Sequence, residues 1–520
     1  MNRRLSITMI MAGVLLSVIP EGPGFEGFHL RDARGEPARE PLLLSVREAV
    51  QTALERNLNL QAVRSSSQAR ESEIGIEKGR FDPALSLELS GGRSVRPSAS
   101  AVDVAILAGA VAPIRTDQLS YQLGVEQELV TGTRYGFSLN GTRLGGPNTV
   151  FDPNYSSEVS FNVTQPLLKG LGPAVNRTAI VLARNNFSIA VEELEDEALQ
   201  LALLVEETYW DLVFQRMRLA VEKERKRAAV ELLEANRAKV REGILPPIEV
   251  LVAEAAVADR EENILIAEKL VRDTEDELRL IMNEESDDLI EEVPVIPRDT
   301  PVRERPGMQS GEAVGEILKE ALDLARERRP DLQRARLEKE NRGEAVHRAA
   351  NAVLPALDFE GRTGLSGLGE TQGDDFDRLT SGDFSNWQVG LVLSMPLGNR
   401  TARNTLDREK LEARRAELTL IRLEQDLTIE VKEAVRRVRT DSRRIEITRK
   451  ARELAEKKLE TETERLRLGL TTTHQVLEFQ KDLAEARSRE LRAVTDLNKS
   501  DANLSRVKGT LLEERGIALE

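Results

Sequence analysis

Hydrophobic positions along the chain fall into two periods, and one ordered set of them occurs twice. Val46, Ala49, Val50, Ala53 and Leu54 sit at helical spacing, and Val314, Ile317, Leu318, Ala321 and Leu322 repeat it. Pro83-Ala84-Leu85 returns as Pro355-Ala356-Leu357. Val159, Phe161, Val163 and Pro166-Leu167 return as Val389, Leu391, Leu393 and Pro396-Leu397. Asn176-Arg177-Thr178-Ala179 matches Asn399-Arg400-Thr401-Ala402, and Gly243, Val250, Leu251 match Gly469, Val476, Leu477. Five matches in one order define two structural repeats, residues 42–283 and 311–515, joined by a proline-rich linker over 284–310.

Within each repeat the period switches twice. In the first, a helix over 45–80 stops near Gly79, where Pro83 bars its continuation. Strands follow over about 84–165, marked by Leu85-Leu87-Leu89, Tyr121-Leu123-Val125, Tyr135-Phe137-Leu139 and Val159-Phe161-Val163 in alternation with polar residues. The second repeat carries helices over 311–353 and two alternating runs within about 356–395, separated by a loop rich in Gly and Asp from Gly364 to Asp383. Long helices then span 174–241 and 401–468, about 100 Å each at roughly 1.5 Å per residue. Their apolar stripes are narrow: Leu199, Ala202, Leu203, Trp210, Val213, Phe214 and Met217 in one, Leu427, Val431, Ala434, Val435, Val438 and Ile445 in the other. Each ends at a Gly turn and returns as a shorter helix, over 247–283 and 472–515. Pro83 to Pro166 is about twice as long as Pro355 to Pro396, so the first strand region is the larger, with a hairpin-like addition near 119–143.

Composition narrows the class. Charged residues make up 31% and aromatics 3%, which suits long wetted helices. A net charge of −15 argues against a nucleic-acid partner. With no Cys there is no disulfide framework, thiolate metal site or cysteine-linked lipid. Arg3, Arg4 and the apolar run Leu5 to Ile19 suit a signal peptide over 1–20, followed by a flexible arm over 21–41; a short N-terminal anchor is the other reading. No later stretch is apolar enough for a spanning helix, so any passage through lipid must use strands. Such barrels start at eight strands, more than one copy offers, so several copies must share one wall.

These residues resemble the TolC-like outer-membrane efflux protein family over essentially the whole chain after residue 42. The motifs are Asn59-Leu60-Gln61-Ala62 and Asp331-Leu332-Gln333 in the short helices, the doubled Pro-Ala-Leu, Gln165-Pro166-Leu167 with Met395-Pro396-Leu397, and the glycine turns. The resemblance implies an α+β membrane protein: a homotrimer whose twelve-stranded outer-membrane β-barrel continues as a long antiparallel α-helical barrel. It implies work as a passive conduit in tripartite efflux or type I secretion, with a periplasmic adaptor (membrane fusion) protein and an inner-membrane pump of RND or ABC type. Pro83, Pro166, Pro355 and Pro396 are then the strand–helix junctions, and Gly243 and Gly469 the periplasmic helix-tip turns. The hairpin near 119–143 departs from the family plan; it either projects outside the membrane or widens the barrel.

By position, the resemblance places a periplasmic gate at Glu249, Gln475, Glu478 and Thr471. Three Glu478 carboxylates around one axis would repel each other and attract cations. Gln475 is uncharged where an acid is usual, Thr471 stands at a gate-arginine position and Leu466 at a gate-tyrosine position, which implies an ionic lock that is weakened or built differently. The bland reading is that Glu249 and Glu478 are solvated carboxylates favoured by helix dipoles. His29, His347 and His474 lack metal-ligand spacing, so no metal or cofactor is expected. Gly170 and Gly172 read as a joint rather than a phosphate cradle, and Asn176 and Asn399 as helix caps rather than glycosylation sites. Trp387, Phe384, Tyr155 and Phe151 suit an interfacial aromatic girdle. Two other classes compete: a periplasmic or peripheral coiled-coil scaffold without transport activity, and a hydrolase, for which no nucleophile–base constellation is present.

Overall fold

In the computed structural model, residues 42–107, 111–147, 149, 151–283, 294–306, 308 and 311–518 are described. The proposed signal peptide, the arm and His29 lie outside them.

The first repeat opens with β1 (Leu42–Leu44), α1 (Val46–Arg56) and α2 (Leu58–Gly79). The reading of 45–80 as one helix is corrected here, because Asn57 is extended (φ −61°, ψ 124°) and its side chain accepts from the N–H groups of Asn59 and Leu60. It thereby ends one helix and caps the next. Then come β2 (Ala84–Arg96), α3 (Ala101–Ile106), β3 (Ile114–Glu128), β4 (Arg134–Gly145), β5 (Asn154–Pro166), α4 (Pro173–Asn176), α5 (Thr178–Arg241) and α6 (Ile248–Met282). After β6 (Val295–Pro297), the second repeat runs α7 (Gly311–Arg328), α8 (Pro330–Ala352), β7 (Ala356–Gly369), α9 (Gln372–Ser381), β8 (Ser385–Ser394), α10 (Arg400–Arg467), α11 (Thr473–Lys508) and α12 (Leu511–Glu514).

Two expected loops contain regular structure. The Gly/Asp stretch from Gly364 to Asp383 holds the end of β7 and all of α9. Thr371 starts α9 by accepting from the Asp374 N–H, and buried Asp375 bonds the Ser157 N–H at 3.0 Å, fixing the helix to β5. The linker contains β6, which pairs in parallel with β1 through Leu42–Val295 and Leu43–Ile296.

The helical architecture follows from length. The long helices α5 (64 residues) and α10 (68 residues) each need partners along their full extent. The return helix α6 (35 residues) covers one part of α5 and α2 (22 residues) covers the rest; α11 (36 residues) and α8 (23 residues) do the same for α10. The two short helices meet where Asn57 donates to the Ile281 carbonyl at 3.0 Å and Asn283 to the Arg56 carbonyl at 3.1 Å. Two cores form at this level. One joins Ala49, Val50 and Ala53 to Leu199, Ala202, Val205, Trp210 and Val213; the other joins Ala321 and Ala325 to Leu427, Val431, Ala434, Val435, Val438 and Ile445. Trp210 belongs to the first as seam packing, edge-on to Tyr209. The Tyr209 hydroxyl is fully buried, 3.0 Å from both the Leu44 carbonyl and the Asp299 carboxylate, and burial pushes its pKa up.

Candidate functional site

At one end of the helices lies a single antiparallel sheet in the order β2-β3-β4-β5-β7-β8. Its two faces differ in chemistry because side chains alternate along each strand. One cross-strand row reads Leu85, Val125, Phe137, Phe161, Thr363, Trp387, and the next on that face begins Leu87, Leu123, Leu139, Val159, Leu365. The opposite face reads Ser86, Gly124, Ser138, Ser160, Gly364, Asn386, then Glu88, Gln122, Asn140, Glu158, Ser366. Many of the apolar side chains are bare: Leu85 is 72% exposed, Trp387 77% and Leu391 67%. A broad apolar sheet face backed by a polar one suits a wall between lipid and water. Phe151, Tyr155, Phe384 and Trp387 all lie toward the end of this sheet remote from the long helices.

The junction prolines stand where sheet turns to helix. Pro83 separates α2 from β2, Pro355 separates α8 from β7, Pro166 is the last residue of β5, and Pro396 follows β8. Two are brought together: the Leu167 N–H donates to the Leu357 carbonyl at 2.7 Å, and Lys169 N–H to the Pro355 carbonyl at 3.4 Å. The capping reading of Asn176 and Asn399 is corrected. Neither side chain accepts from a helix N–H; the Asn176 amide donates to the carbonyls of Gly170 and Gly172, and the Asn399 amide to that of Val353. Asn176 therefore braces the connection that leads from β5 into α4, and Asn399 ties the start of α10 to the end of α8. Gly170 and Gly172 adopt φ of 84° and 91°, which makes this tight joint accessible to glycine.

At the far end, both long helices stop in the same way. Gly243 has φ 73° and Gly469 φ 74°; the Ile244 N–H reaches back to the Lys239 carbonyl and Leu470 to Arg465, each at 2.9 Å. This is a Schellman closure, which needs a left-handed residue and so favours glycine. The Thr472 side chain then caps α11 by accepting from the Gln475 N–H. The turns lie side by side, because buried Asn236 of α5 donates to the Thr473 hydroxyl at 2.9 Å and to the Glu249 carbonyl at 3.3 Å. Gln475 and Glu478 are exposed, Glu249 and Thr471 half-buried, and among the described residues neither glutamate side chain has an ion-pair or hydrogen-bond partner. His474 is exposed at the same tip. Asn236 escaped the sequence reading; its signal is a polar residue two turns before a glycine turn.

Among the described residues no helix is long and apolar enough to cross a membrane, and no cluster has metal-ligating composition.

A two-faced sheet carried on helix hairpins about 100 Å long defines a membrane-channel class of protein. The model of the family described as outer membrane efflux protein matches residues 49–284 and 321–510, so the chain belongs to that family. It is an outer-membrane efflux channel subunit, with its long helices in the periplasm. Solved structures share the fold at low identity. The outer membrane channel CmeC of Campylobacter jejuni superposes with a TM-score of 0.63 at 15% identity, covering 95% of this chain and 94% of that one. VceC of Vibrio cholerae gives 0.63 at 16%, covering 89% and 96%, and the Neisseria gonorrhoeae MtrE outer membrane channel 0.59 at 16%, covering 94% and 98%. No curated protein matches the chain by sequence. The scaffold reading is not favoured, and the family is one of channels rather than enzymes.

Proposed function

We propose that three copies close their sheets into one outer-membrane barrel and their helices into one periplasmic tube, forming a passive conduit for tripartite efflux or type I secretion. The observation that carries this is the sheet: it has a lipid-type face, a water-type face and two open edges, and open edges are not tolerated in a bilayer. One copy supplies six strands, fewer than the eight of the smallest such barrels. A homotrimer fits the family resemblance, as do a periplasmic adaptor touching the helix tips and an RND or ABC pump behind it. Glu249, Thr471, Gln475 and Glu478, grouped at the two tips, form the gate in this reading, with three Glu478 carboxylates as its cation-selective ring.

Outer-membrane fractions extracted in detergent test the assembly: a trimer with a long stalk is expected, and a water-soluble monomeric rod would refute it. In planar bilayers Glu478→Ala is expected to lose cation preference; unchanged selectivity removes Glu478 from the ring.

A further inference from the structure

We infer that β3 and β4, the strands of the additional hairpin, cross the membrane, and that the assembled channel has an eighteen-stranded barrel rather than a twelve-stranded one. The inference rests on the trimeric reading above for the number of copies, and on the sheet for the strands. The hairpin is fully integrated. β3 pairs with β2 along all of β2, from Ala84–Glu126 to Arg96–Ile114, and β4 pairs with β5 from Arg134–Thr164 to Leu144–Asn154. At 15 and 12 residues, β3 and β4 are no shorter as a pair than the other four strands, which run from 10 to 14, and both exceed the roughly 9–11 that a tilted spanning strand requires.

Side-chain chemistry agrees with this placement. Tyr121, Leu123, Val125, Tyr135, Phe137 and Leu139 lie on the same face as Leu85, Leu87 and Leu89 of β2 and Val389, Leu391 and Leu393 of β8. A hairpin projecting into water would not need that continuous apolar face. A hairpin folded into the lumen would break the ladder between β2 and β5.

Closure is also satisfied. Six antiparallel strands leave β2 and β8 running in opposite directions, so β8 of one copy meets β2 of the next as an antiparallel pair. The row from Leu85 to Trp387 starts at the second residue of β2 and reaches the eighth residue of β8 from its helical end. A climb of about six residues over five pairings, at roughly 3.3 Å per residue and 4.8 Å per strand, is an incline of about 40°. That is the tilt of closed membrane barrels. Eighteen strands at this tilt give a backbone radius of about 18 Å, whereas twelve give about 12 Å. A ring of twelve helices, four per copy at any level, spaced roughly 9–10 Å apart has a radius of about 18 Å. The wider barrel therefore continues the helical tube without narrowing, and its backbone circle encloses about twice the area of a twelve-stranded one. Glu88, Gln122, Asn140, Glu158 and Arg362 face its water, which leaves size selection to the periplasmic end.

The cysteine-free chain permits a direct test. Single-cysteine variants Phe137→Cys, Ser138→Cys, Leu139→Cys and Asn140→Cys of the full chain, spin-labelled in phospholipid vesicles, would be probed with oxygen and with a water-soluble nickel chelate. Lipid-type accessibility at 137 and 139 and water-type accessibility at 138 and 140 are expected, with eighteen strands in end-on images of the particle. Water-type accessibility at all four positions, or twelve strands, would overturn the inference. Leu391→Cys on β8 separates the two readings: lipid contact at 391 without it at 139 refutes the wide barrel alone, and lipid contact at neither refutes the channel reading as well.

Discussion

Replacing Asn236 with leucine keeps the side-chain size but removes the amide that joins the two helix tips. In the structure Asn236 is 1% exposed, and its amide donates to the Thr473 hydroxyl at 2.9 Å and the Glu249 carbonyl at 3.3 Å. Leaving buried polar groups without their partner costs about 1–3 kcal/mol. The longer bond is the weaker, and the hydroxyl can turn, so about 1–2 kcal/mol is expected. At about 1.4 kcal/mol per factor of ten this is roughly a 5- to 30-fold rise in local opening. Hydrogen exchange in detergent reads it directly: amides over 248–254 and 473–480 should exchange faster by that factor, while those around Tyr209 to Phe214 should not change. If the tips do form the gate, the same variant lengthens single-channel open times. Unchanged exchange at both helix starts would refute the clamp, and equal acceleration along all of α5 would show Asn236 to be general packing.

Gly469→Ala meets no atom within 4 Å, so its cost is the left-handed backbone alone, about 1–2 kcal/mol, read as faster exchange over 465–475. Tyr209→Phe strips a fully buried hydroxyl from the Leu44 carbonyl and from both the N–H and carboxylate of Asp299, and should cost about 1–3 kcal/mol, seen as a lower Tm. Burial raises the Asp441 pKa, with Asp496 adding to the rise against the opposing Ser500 hydrogen bond and Arg444. A raised carboxyl opposes folding above its folded pKa and is relieved as pH falls through that value. Asp441→Asn should therefore raise Tm at pH 7.5, with the gain shrinking toward pH 4; a gain independent of pH would contradict the assignment.

The elements visible in the sequence were those with long periodic runs. The stripe Leu427 to Ile445 needs only its own spacing to announce a helix, and Tyr135-Phe137-Leu139 only its alternation to announce a strand. The elements that escaped depend on distant partners. β1 and β6 are three residues each, too short to show a period, and exist through mutual pairing across more than 250 positions. α9 hides among glycines because Gly367 and Gly369 are where the backbone of the helix lies against β7, too close for a side chain. Asn176 and Asn399 were legible as a doubled motif, but residue type alone did not reveal that Asn176 donates back into its own connection and Asn399 to the end of α8. At the candidate gate, the family resemblance pointed to Glu249 and Glu478 just beyond the glycine turns, whereas the buried contact through Asn236 emerged only in three dimensions.

The parallel pairing of β1 with β6 also bears on how the two repeats are held together. Its strands lie on either side of residues 284–293, as do β5 and β7, which pair from Tyr155–Gly369 to Pro166–Asp358, and α5 and α8, which pack together. The peptide link between the repeats is thus one connection among several. A chain cleaved between 283 and 294, or made as two polypeptides exported together, should assemble into the same particle, recoverable as a pair of fragments that separate only on denaturation. The molecule is in that sense a heterodimer whose subunits happen to be translated in one piece.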